Sequence, residues 1–169
     1  MQERDLVMDH LDAAGLEPWD ESSAQLDNNG IKLFGEKVYP TMSAEAAYPT
    51  YEKGMIDNDS NIEGRAVKFS PFRNADGTYT IKSAGKILIG NNATVSNYKL
   101  ASTIGHELTH AIHHVSGLYS GWYNKYDAAG ANTLSEIKAH LFQQGSPYNY
   151  NALRHNNYIN LANQNGWKF

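Results

Sequence analysis

The chain contains no cysteine, which excludes disulfide cross-links and thiolate metal ligands together, so any ion held here has to be bound by imidazole and carboxylate. A strong charge bias is missing too. Against 18 Asp and Glu stand 14 Lys and Arg, a net charge of −4, which offers neither nucleic acid nor an anionic membrane surface a matching field. No run approaches the ~18 consecutive apolar residues of a membrane span. Residues 1–20, MQERDLVMDHLDAAGLEPWD, place acidic side chains where a signal peptide needs an apolar stretch, so no export signal is expected in this sequence. Internal repeats, charge blocks and low-complexity tracts are also lacking. What remains is an ordinary globular composition, 41% hydrophobic with 11 tyrosines, in 169 residues, a length that suits one domain over 1–169.

Against this plain background one pentapeptide carries chemistry: His106-Glu107-Leu108-Thr109-His110, an H-E-x-x-H pattern. On a helix, imidazoles four residues apart project from one face about a turn from each other, a spacing that lets both reach one zinc ion. Glu107, about 100° further round, is displaced from the ligand direction but placed to touch a water on the open side of the metal. A chain of this composition contains the pattern by chance in roughly one or two cases per hundred, so the context has to decide. That context is helical: Leu100, Ile104, Leu108, Ala111, Ile112 and Val115 form an apolar stripe, and the histidines face away from it. Ser96 as N-cap and Gly117 as C-terminal stop bound a helix near 97–116.

Elsewhere the pattern predicts an amphipathic helix over 2–14 with Leu6, Val7 and Leu11 inward. A strand over 31–39 and a short helix over 43–48 follow in a segment broken by glycine and proline. Val67 and Phe69 alternate within RAVKF, Asn74-Ala75-Asp76-Gly77 reads as a turn, and 79–82 and 86–89 read as strands. Helices are expected over 133–144 and 151–163, separated by Gly145-Ser146-Pro147, with 119–132 a long connection wrapping near the cleft. The fold class is thus α+β: a small, twisted, mainly antiparallel sheet packed on the motif helix, with a helical C-terminal part.

A catalytic zinc site needs a third protein ligand. Glu136, 26 residues beyond His110 on a second helix, is the favoured one. Thr133-Leu134-Ser135-Glu136 also fits a capping box, in which Glu136 would bond the backbone of Thr133 instead. His113 and His114 lie one turn past His110. Three ligands at i, i+4 and i+8 on a straight helix stretch over about 12 Å, too far to converge on one ion, so His114 reads as a cleft-wall residue and His113 as a solvated one. Asp127 is a weaker candidate ligand. His140, four residues after Glu136, either orients a ligand or merely packs between helices. For stabilising a developing oxyanion, Tyr123, Tyr126, Tyr148, Tyr150, His155 and Tyr158 are all chemically eligible.

With motif helix, preceding strand and downstream Glu, residues 86–145 resemble the zincin metallopeptidases of the glutamate-ligand group. The resemblance implies His106, His110 and Glu136 as Zn2+ ligands, Glu107 as general base, and strand Lys86–Ile89 as the cleft edge along which a peptide substrate pairs. The metzincin pattern does not fit, since His113 and Ser116 occupy the positions of its glycine and third histidine. His140 departs from the thermolysin-like pattern, which has aspartate there. The stretch GHELTHAIHHVSG is also similar to metallopeptidase domains of bacterial effectors and polymorphic-toxin C-terminal modules, which implies secretion or injection within a larger bacterial protein and a cognate immunity protein or inhibitor. The expected activity is zinc-dependent endopeptidase chemistry, with Glu107 taking the proton of the attacking water and returning it to the leaving amine. The alternatives are a non-catalytic interaction domain stapled by zinc and a regulatory peptidase of one intracellular partner.

Overall fold

Leu100, Ile104, Leu108, Ala111 and Ile112 recur at helical spacing, and each is more than nine-tenths buried. The computed structural model describes residues 3–13, 49–54, 56–59, 61–144 and 150–169. Within them the chain runs α1 (Glu3–Ala13), β1 (Thr50–Lys53), β2 (Gly64–Lys68), β3 (Phe72–Arg73), β4 (Tyr79–Thr80), β5 (Ser83–Ile89), a 3-10 turn (Asn91–Thr94), α2 (Asn97–Ser116), α3 (Leu118–Gln143) and α4 (Ala152–Asn165). The architecture is α+β. The expected strand over 31–39 and helix over 43–48 lie outside the described residues.

Motif helix α2 has the expected ends. Ser96 Oγ accepts the Lys99 amide, and Gly117 takes the left-handed conformation that stops the helix. Its apolar side packs with Val7 and Leu11 of α1 and with Tyr51, Ile87 and Ile89 of the sheet in one core. Against α3 the helix comes close at Gly105, where a Cβ would land on the Phe142 ring.

The sheet is mixed, in the order β1-β5-β2. β5 pairs parallel with β1 (Tyr51 opposite Ile87) and antiparallel with β2 (Ala66 opposite Ile87). The strand expected at 86–89 is therefore the middle strand, with both edges taken, and cannot form the rim of a cleft; among the described residues β2 is an edge strand instead. Within β2 the inward residue is Ala66, whereas Val67 is half-buried and Phe69, beyond the strand, is 61% exposed. The turn at 74–77 closes the β3–β4 hairpin, with the Asn74 amide on Thr78 O at 2.7 Å. β4 stops at Thr80 because the Ile81 amide goes to Ser120 Oγ on α3.

The segment 119–132 is not a loop. α3 runs through it, kinked at Asp127 (φ 74°, ψ −175°), whose carboxylate caps the second half by accepting the Gly130 amide. Burial of Tyr119, Trp122 and Ala131 against Ile81, Leu134 and Ala162 outweighs the weak helix propensity of Gly121 and Gly130. α4 starts at Asn151, whose side chain caps Arg154 N. Among the described residues no helix is long and apolar enough to cross a membrane.

Candidate metal centre

The kink at Asp127 has a consequence for Glu136. Since the second half of α3 is capped at 127, Thr133 is helix interior, the capping box does not exist, and the Glu136 carboxylate is free to reach across to α2. Its oxygens lie 3.4 Å from both His106 Nε2 and His110 Nε2, and the two imidazole nitrogens are 3.2 Å apart. The three donor atoms all fall within 4.8 Å of one another, so His106, His110 and Glu136 could hold a metal ion. Glu136 Oε2 is buried and makes no hydrogen bond, which fits an oxygen meant for an ion.

Both imidazoles have their Nε2 lone pairs set toward the donor group by what their other nitrogens touch. Gln143 Nε2 donates to Ser102 Oγ at 3.0 Å and faces the Ser102 carbonyl, which only accepts; this orients the amide so that Oε1 faces His106 Nδ1 at 2.8 Å. His106 must then carry its proton on Nδ1, leaving the Nε2 lone pair for the ion. A longer chain does the same for His110. The Glu3 carboxylate of α1 accepts from His113 Nε2 at 2.8 Å; His113 Nδ1 can then only accept, from Ser135 Oγ at 2.8 Å; Ser135 Oγ in turn accepts from His110 Nδ1 at 2.6 Å. His113 is therefore not solvated but fully buried. Burial pushes its pKa below the ordinary value despite Glu3, which keeps it the neutral relay this chain requires. Burial opposes the Glu3 charge, but the hydrogen bond from His113 outweighs it and Glu3 lies below the usual carboxylate range.

Electrostatics at the ligands follow from their proximity. Burial disfavours the Glu136 charge, yet the His106 and His110 imidazoles beside it hold it well below the usual carboxylate range. Burial also works against charging His106, but Glu136 and Glu107 raise it overall. His140 is not a member of the group: it donates Nδ1–H to the Glu136 carbonyl at 2.8 Å and packs edge-on against His106 at 4.9 Å, wedging ligand and helix together. Burial pushes it down to about 4. His114, buried against Tyr119, is pushed down to about 3 by burial and by the neighbouring His110 and Lys68 charges. Asp127 is occupied as the α3 cap.

Glu107 projects beside the group and is 8% exposed. One carboxylate oxygen accepts the Ala66 amide at 2.8 Å, across from edge strand β2. That closeness depends on Gly64, where a Cβ would stand 2.7 Å from Glu107 Cγ and 2.9 Å from Thr103 Cγ2. A cavity of about 580 Å³ lies on one side of the group, reaching His140 and Tyr150. Another, of about 850 Å³, lies on the other, along β2 to Tyr119 and Tyr158. The residues common to both are Ile62, Gly64, Glu107, Glu136 and Arg154, so the two cavities border the donor group from opposite sides.

Of the residues eligible to meet an oxyanion, Tyr150 and Tyr158 line the cleft, one on each side, while Tyr148 lies outside the described residues. Tyr126 instead receives the Lys168 amide, Tyr123 packs on Tyr79, and His155 is hydrogen-bonded to Tyr150. Sequence reasoning missed Glu3, Ser135, Gln143 and Arg154. Gln143 follows Glu136 by seven residues and so shares its helix face, a signal that was available; Glu3 lies 110 residues from His113 and gave none. No protein-family model, curated protein or solved structure matches this chain.

Proposed function

We propose that the protein is a zinc-dependent endopeptidase of zincin-like design. The observation that carries this reading is the meeting of His106, His110 and Glu136 within 4.8 Å between two cavities that both border them, with Glu107 of the same motif beside them. Two imidazoles and a carboxylate, without thiolate, are a donor set suited to zinc, and the group has three members among the described residues, as an open catalytic site requires and a closed stapling site does not. Bound zinc would supply Lewis acidity, acidifying a water and polarising a carbonyl. The rest belongs to the chain. Glu107, one oxygen fixed by the Ala66 amide, uses the other to take the proton of the attacking water and passes it to the leaving amine. The Ala66 amide points away from β5, so by alternation Gly64 and Lys68 also present backbone groups on the free edge of β2, beside which an extended peptide can lie.

Replacing Glu107 by Gln keeps size and polarity but removes the base. Zinc content should remain at one equivalent while hydrolysis of a generic peptide library falls by about 100-fold or more. Retained turnover in the loaded variant would reject the role. The biological setting we infer is a bacterial effector or toxin module with its own immunity protein. Arrest of a bacterial host by the active chain, and not by Glu107→Gln, supports it; harmless expression of the active chain supports a regulatory peptidase instead.

A further inference from the structure

The larger cavity, on the β2 side of the donors, is lined by three cations, Arg65, Lys68 and Arg154, in a chain whose net charge is −4. Among the described residues its acidic lining is Glu107 and Glu136, both already assigned to the reaction centre. Arg65 is paired with Asp57. Lys68 and Arg154 have no ion-pair partner among the described residues. Lys68 leans over the Tyr119 ring at 5.3 Å, and Arg154 stands near Tyr158, its guanidinium 6.0 Å from the ring centre. The same cavity wall includes His114, 6% exposed, whose Nδ1 is buried without a hydrogen-bond partner. Buried polar atoms are rarely left unpaired, and the negative charge felt by Lys68 and Arg154 comes from the reaction-centre carboxylates, Glu136 for both and Glu107 for Arg154, so neither cation has a carboxylate of its own.

We propose that this cavity is a specificity subsite for the side-chain carboxylate of an aspartate or glutamate next to the scissile bond of the substrate, held by Lys68 and Arg154. The inference rests on the peptidase reading for the words scissile bond, and on the cavity's own residues for the carboxylate. An internal side chain is favoured over a chain terminus because a second cavity lies on the other side of the donors, giving a bound peptide space in both directions. Lys68 sits at the end of edge strand β2, in register to meet the side chain of a peptide laid along that edge. Arg154 reaches it from α4 and also borders the donors, linking recognition to the position of the bond.

Binding can be read without turnover in zinc-loaded Glu107→Gln protein, by fluorescence anisotropy with peptides that are acetylated, amidated and identical except for one central Glu or Gln. The Glu peptide should bind at least about 10-fold tighter at low salt, with the gap narrowing as salt screens it. Lys68→Gln and Arg154→Gln should each close most of that gap, and Lys68→Glu should turn the preference toward a peptide with central Lys. Equal binding of the Glu and Gln peptides, binding of neither, or a preference untouched by all three substitutions would overturn the subsite. So would a neutral peptide with a free C-terminus binding as well as the Glu peptide, which would assign the cations to a chain end. Because no step requires cleavage, a wild-type protein that cuts nothing but keeps the Glu preference would sink the peptidase reading and leave the subsite standing.

Discussion

At the scale of single residues, each imidazole of the donor group has its second nitrogen committed, to Gln143 for His106 and to Ser135 for His110. The meeting of His106 and His110 with Glu107 beside them was legible from their spacing, and the approach of Glu136 from the need for a third donor. The supports were not, because a hydrogen bond has no periodicity: nothing local ties Glu3 to His113 until α1 docks on α2. The relay makes an expectation about a residue far from the ion. Glu3→Ala should leave His113 without its acceptor, free the tautomer of His110, and weaken zinc binding by about 10-fold or more, measured by competition with a chelator. Glu3→Gln retains an acceptor oxygen and should stay near wild type. Equal affinities for all three proteins would show that the relay does not set the ligand.

Among the elements, α2 was readable to its ends because its stripe, its Ser96 cap and its Gly117 stop agree with one another. α3 was misread, since Gly121, Gly130 and several tyrosines look like loop until Tyr119 and Trp122 are seen to bury. The strand at 86–89 was found but its role was not, for hydrophobic alternation says nothing about which strand ends at an edge. Asp127 is where α3 reveals its tension. A non-glycine residue at φ 74°, ψ −175° is strained by about 1–3 kcal/mol, and the cap it supplies returns about 1 kcal/mol. Asp127→Gly should therefore hold or raise the thermal midpoint, and Asp127→Ala, which keeps the strain and loses the cap, should lower it. A higher midpoint for Ala than for Gly would contradict the kink's account. At Gly64, an added methyl meets Glu107 and Thr103, so Gly64→Ala should lower hydrolysis while zinc content stays at one equivalent, read by metal analysis beside a peptide assay.

At the scale of the whole molecule, two buried imidazoles tie folding to pH. His114 is held at about 3 and His140 at about 4, against about 6.5 in an unfolded chain. Folded-state values depressed in this way mean that the unfolded chain binds more protons between those limits. The stability they contribute is present above about pH 6.5 and is lost as pH falls toward 4 and 3. Thermal melts of the metal-free protein should show midpoints dropping over that window, with a shallower drop in His114→Gln; an unchanged slope in that variant would place the proton uptake elsewhere. The proposed ion, shared by His106 and His110 of α2 and Glu136 of α3, would join the two helices. Zinc K-edge X-ray absorption on the protein loaded with one equivalent measures its surroundings directly. The account predicts four light donors at about 2.0–2.2 Å, two of them with imidazole scattering, and one imidazole or one oxygen fewer in His110→Ala and Glu136→Ala respectively. A shell of four imidazoles, or one that Glu136→Ala leaves unchanged, would contradict it.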